Sequence, residues 1–159
     1  MASISDNFDR ASLNVGGPFT WTSAYGGGTW AIITNQLNLA TGVTNYCKLR
    51  AESDMASSNH YAQITIPNSE NVIHGPCVRF AAAADTQYVF LWRNTQANWN
   101  IWKFITGTLT VLFTGAGTQA AGDVMYLEDD SGNNLTAKIG GVTKIGPSAD
   151  ASITTNTRT

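Results

Sequence analysis

Charge is what this sequence has least of: Asp, Glu, Lys and Arg make up 13% of its 159 residues and leave a formal net charge of -2. The nine basic residues are scattered along the chain. Phosphate binding needs basic residues concentrated, so nucleic acid is excluded as a partner. No apolar run approaches the roughly 20 residues that span a bilayer, and no membrane partner is expected. The opening MASISDNFDRAS has neither a basic start nor an apolar stretch, so no secretory signal is read there, and the expectation is of a chain that folds where it is made or was trimmed. Cysteine is limited to Cys47 and Cys77, whose spacing matches no zinc or redox motif. Both are expected as small buried thiols, with a disulfide between them as the alternative. Helical periodicity is missing as well, since no stretch longer than two turns carries it, and no internal repeat is visible.

What remains is β-pattern. Thr86–Phe113 holds three of the five tryptophans and reads as a three-strand antiparallel meander. Its strands are Thr86–Arg93, Asn98–Ile105 and Thr108–Phe113, rich in aromatic and β-branched residues and free of proline. Asn94–Ala97 supplies the first turn and Thr106-Gly107 the second. Alternation puts Tyr88, Phe90 and Trp92 on one face and Val89 and Leu91 on the other, so this sheet is apolar on both sides. Before the meander, strands are predicted over Thr29–Thr34, Gln36–Ala40, Thr44–Ala51 and His60–Ile66, with Phe8 anchoring the N-terminal segment. A short extended piece crosses the glycine-rich loop near Phe19–Trp21, and a strand over Val72–Ala84 is interrupted at Gly75-Pro76. After it come Val124–Glu128, Leu135–Ile139 and Val142–Ile145, the last pair joined at Gly140-Gly141. Many short strands between turn signals are the signature of an all-β, two-sheet antiparallel sandwich or jelly roll. A chain of this length fits one domain, Met1–Thr159, which buries roughly 70% of its unfolded surface and needs no staples.

The order of these pieces is DNFDR, GTWAIITNQL, HYAQITI, GPCVRF, QYVFLWRN, NWNIWKF, GDVMYLE and LTAKIGGV. It resembles the concanavalin A-like lectin/glucanase jelly roll, in the laminin-G-like form common in bacterial and phage structural proteins. The match covers nearly the whole chain. The resemblance implies two antiparallel sheets packed face to face, one of them concave. It implies no single function, because the fold hosts lectins, glucanases and interaction modules alike.

The enzymatic relatives in that superfamily carry two glutamates and an aspartate at alternating positions of one strand, and this sequence lacks the array. Glu128, Asp129 and Asp130 are contiguous, so successive side chains point to opposite faces, and Glu52 and Asp54 stand in a loop-like stretch. No catalytic residue is assigned and the chain is read as a non-enzyme, since glycoside hydrolysis needs a facing carboxylate pair. Asp129–Asn134 offers hard oxygen ligands that suit calcium, but it is also ordinary hairpin-tip chemistry, and no metal or cofactor is expected. His60 is read as the start of a strand and His74 as preceding a turn, each with an ordinary hydrogen bond. The candidate carbohydrate-binding residues are Trp92, Asn94, Asn98 and Trp99, with Asn100 beside them, because aromatic platforms next to amides suit sugars. The competing reading packs these tryptophans between the sheets. Alternation favours it for Trp99, which shares a face with Ile101 and Ile105.

Two functions follow. The first is a non-enzymatic virion structural or interaction protein, a phage capsid decoration (cement) protein or a tail-associated module assembled in the host cytoplasm. Its partners would be other virion proteins, with copies of itself repeated across a lattice. The alternative is a carbohydrate-binding module or small lectin, whose partner is a glycan.

Overall fold

The computed structural model describes residues 6–7, 9–17, 20–25, 29–33, 36–41, 48–51, 59–66, 74–93 and 96–154. Phe8, Thr44–Cys47, Val72–Ile73 and Asn94 lie outside them. The chain divides into two compact units, essentially Ala2–Met55 and Ala56–Thr157.

In the smaller unit, β1 (Trp21–Tyr25) pairs antiparallel with β4 (Lys48–Ala51), and β2 (Thr29–Ile33) with β3 (Gln36–Thr41). β1 is longer than the extended piece expected near Phe19–Trp21 and starts where that piece was expected to end. The Trp-Thr-Ser-Ala-Tyr run carries β-propensity at both ends, and the strand stops as the glycines begin. Asn14 holds its start: the side-chain amide donates to the Trp21 carbonyl at 3.0 Å and accepts from the Trp21 N–H at 2.8 Å, as a neighbouring peptide would. Asp6 binds the Arg10 guanidinium through both oxygens and also accepts from the Trp21 indole at 2.7 Å.

The larger unit contains β5 (His60–Thr65), β6 (Cys77–Val78), β7 (Gln87–Arg93), β8 (Asn98–Ile105), β9 (Thr108–Ala116), β10 (Val124–Asp129), β11 (Asn134–Ile139) and β12 (Val142–Ala149). They form two four-stranded antiparallel sheets, ordered β12-β11-β10-β5 and β6-β7-β8-β9. The all-β, two-sheet antiparallel sandwich expected from the sequence is what this unit forms. Between the sheets lie Tyr88, Phe90, Trp99, Ile101, Met125, Leu127, Leu135 and Ala137, none with any exposure. Each large apolar side chain so buried contributes roughly 1.5–3 kcal/mol. On the other face of the meander Leu91, Trp102 and Phe104 form a second buried cluster with Val89, as alternation required of a sheet apolar on both sides.

The tight hairpins follow from backbone sterics. Thr106 and Gly107 have φ of 47° and 85°, the left-handed pair that a two-residue turn between twisted strands demands. Gly140 and Gly141 repeat it at 55° and 82°. β9 and β12 outrun their expected ends at Phe113 and Ile145 because a partner strand continues beside each: Ala116 still faces Asn98, and Ala149 still faces Asn134. Pro147 is tolerated inside β12 because that strand is at the sheet edge. The strand expected over Val72–Ala84 contracts to Cys77–Val78 among the described residues. Arg79 follows at φ 59° and ends it, and the alanines after it turn through bends.

That strained arginine is fully inside the fold. Its Nε donates to Asp129 at 2.6 Å, its Nη1 to the Thr154 carbonyl at 3.0 Å, and its N–H to His60 Nε2 at 3.1 Å. A second cluster ties down the same C-terminal segment. Asp150 accepts from the Tyr88 hydroxyl at 2.6 Å and from Lys103 Nζ at 2.9 Å, while the Tyr88 oxygen accepts from the Ile153 N–H.

Candidate functional site

Alternation along three neighbouring strands builds an outward face in the larger unit. Ala62, Ile64, Met125, Leu127, Leu135, Ala137 and Ile139 point into the core, so the residues between them point the other way. Those are Tyr61, Gln63 and Thr65 on β5, Val124, Tyr126 and Glu128 on β10, and Asn134, Thr136 and Lys138 on β11. Gln63 and Thr65 are exposed and the rest are half-buried. Pairing register then sets the neighbours: Tyr126 lies between Gln63 and Lys138, and Glu128 between Tyr61 and Thr136.

Tyr126 is the centre of this face. Its ring stacks on Tyr61 with centroids 5.0 Å apart and planes at 27°, a geometry aromatic pairs favour. The Lys138 ammonium stands over the same ring, 4.9 Å from its centroid. Burial, and then a hydrogen bond to the Glu128 carboxylate, push the Tyr126 phenol well above its ordinary range. At neutral pH it is therefore an uncharged hydroxyl donor. The result is a pair of aromatic rings on a rigid sheet, ringed by an amide, a carboxylate, an ammonium and hydroxyls. Such a surface offers apolar contact to C–H groups and both donors and acceptors to hydroxyls.

Of the residues singled out from sequence, Trp92 and Trp99 meet across two strands on the inner face, and Asn98 turns to the opposite face. Trp99 has no exposure and lies 5.5 Å from Phe90 and 6.4 Å from Trp92 by ring centroids. A ring with no free face cannot stack on a sugar, so Trp99 is corrected from platform to core, the outcome its alternation favoured. Trp92 is its cross-strand partner on the same inner face, half-buried, with its indole reaching the Gly117 carbonyl at 3.4 Å. Asn98 pairs with Arg93 on the opposite face, and its side chain is bound to those of Gln96 and Asn100. Asn94 lies outside the described residues. Asn100 is buried and also accepts from the Thr114 hydroxyl at 3.0 Å.

The other candidates fall to structural roles. Asp130 accepts from the Gly132 and Asn134 N–H groups and from the Asn134 amide, which makes Asp129–Asn134 a self-bonded hairpin tip. Those hydrogen bonds, from Asn134 above all, hold its carboxyl below the usual range. Among the described residues no group of three or more His, Cys, Asp or Glu side chains is placed to hold a metal ion. Glu128 faces outward and Asp129 inward to Arg79, so the two cannot flank one glycosidic bond. His60 begins β5, and His74 Nε2 lies 3.2 Å from the Gln119 amide. Sequence reading missed Tyr61 and Tyr126. The signal was present as two tyrosines on the polar side of alternating strands, but not the β5–β10 pairing that stacks them.

No protein-family model matches this sequence, and no curated protein matches it. One solved structure is similar in fold. It is the carbohydrate-binding module CBM66 from Bacillus subtilis, which aligns with a TM-score of 0.66 over 86% of this chain and 84% of its own. Sequence identity is 15%, so the likeness is one of architecture.

Proposed function

We propose that this chain is a carbohydrate-binding domain that acts without catalysis and holds its glycan on the outer face of β5, β10 and β11. The observation that carries the reading is the stacked Tyr61–Tyr126 pair set among Gln63, Glu128, Thr136 and Lys138. Similarity of fold to a chain named as a carbohydrate-binding module supports it. The rings supply contact area at little conformational cost, and the surrounding groups supply orientation. The virion reading, with capsid or tail proteins as partners, has no specific observation in its favour beyond the sequence resemblance. A glycan array probed with the full chain tests the proposal. Binding to at least one glycan is expected, with Tyr126→Ala weakening it by about tenfold or more and leaving the far-UV circular dichroism unchanged. A folded protein that binds no glycan on the array overturns the reading.

A further inference from the structure

Register gives the tyrosine face a direction. Gln63, Tyr126, Lys138 and Thr143 stand directly opposite one another on β5, β10, β11 and β12, forming one row across the sheet. Tyr61, Glu128 and Thr136 form a second row alongside it. With strands about 4.8 Å apart, the first row spans about 14 Å, and the second lies about 7 Å away along the strands. The first row is longer than one sugar ring and matches a short run of linked sugars. Its two ends, Gln63 and Thr143, are both exposed, so neither end residue of the row itself closes it off. A site for a chain terminus needs the opposite, a wall that stops the ligand.

Charge narrows the ligand further. The two rows carry one cation and one anion, and Tyr126 engages both: Lys138 over its ring and Glu128 at its hydroxyl. A ligand therefore meets hydroxyl, amide and ring surface on two rows that carry no net charge. A polyanionic chain would set a carboxylate against Glu128 for every one it offered Lys138.

We infer that this face takes a chain-internal stretch of a neutral glycan, lying across the strands along Gln63, Tyr126, Lys138 and Thr143. The inference rests on the carbohydrate-binding reading. It is tested by titration calorimetry of the full chain with gluco-, xylo-, manno- and fructo-oligosaccharides of one to six units, and with polygalacturonate. In the series that binds, Kd tightens by about tenfold or more from one unit to three and then levels off. Capping both ends of the trisaccharide changes Kd by less than about threefold, and Lys138→Gln weakens binding by about the same factor. A monosaccharide bound as tightly as the trisaccharide, loss of binding on capping, or a preference for polygalacturonate overturns the inference while leaving the carbohydrate-binding reading intact. Binding to none of these probes by a chain that is folded by circular dichroism overturns the inference. If the glycan array is also blank, the reading fails with it. Binding that survives both Tyr126→Ala and Tyr61→Ala shows the glycan to be elsewhere and removes this face from the proposal.

Discussion

Trp99 and Asp129 show how a single position is fixed by its surroundings. Trp99 fills the space between Phe90 and Trp92 with no exposed surface. Trp99→Ala leaves a cavity the strands cannot collapse into, and should cost about 3–5 kcal/mol. A denaturant midpoint unchanged from wild type would show that the ring is not core. Asp129 is equally enclosed and is paired with Arg79. Burial raises its pKa, and the Arg79 guanidinium at 2.6 Å pulls it back only in part. Removing the carboxylate charge strands a buried guanidinium, so Asp129→Asn should destabilise by about 3–5 kcal/mol. Replacing both partners by apolar residues of similar volume should cost less, and equilibrium unfolding of the three variants decides it.

At the scale of the element, β7, β8 and β9 were legible because each is a strand-length run bounded by turn residues, and Asn98–Ile105 appears in the structure with the limits its sequence predicts. β6 was not legible. Its length is set by Arg79 turning at φ 59° toward Asp129, and the sequence around it carries no sign of that contact. Next to it, Gly75 passes so close to β7 that a Cβ there would lie 1.7 Å from the Phe90 carbonyl oxygen. Gly75→Ala must push backbone against backbone. A loss of about 1–3 kcal/mol is expected, read from the thermal midpoint. An alanine variant as stable as wild type would mean that this approach is looser than described.

For the whole molecule, the C-terminal segment makes stability depend on acid. Burial alone would raise the Asp150 pKa, but hydrogen bonds from Tyr88, Lys103 and Ser152 outweigh it and hold the value at about 2, below the 3.8 of a free aspartate. The folded value is the lower one, so Asp150 stabilises the fold above the unfolded pKa, and that contribution is lost as pH falls through the folded one. Solvent screening of the partly exposed Asp150 and Lys103 pair reduces it to about 1 kcal/mol. Asp129, raised by burial, acts in the opposite sense: its contribution is present below the unfolded pKa and lost as pH rises through its folded value. Comparing wild type with Asp150→Asn between pH 5 and about 2 isolates the first term. The stability gap should close as the pH drops, and a gap independent of pH would rule this role out. The expectation of a single domain is tested by calorimetry, where one transition with equal calorimetric and van't Hoff enthalpies is predicted. By itself the sequence determined the strands of the meander, the tight turns at Thr106-Gly107 and Gly140-Gly141, and the division of the meander into two apolar faces, because these depend on backbone sterics and alternation between near neighbours. Only the tertiary structure decided which tyrosines meet. Tyr61 and Tyr126 belong to strands far apart in the chain, and their stacking rests on a pairing register that local sequence does not encode.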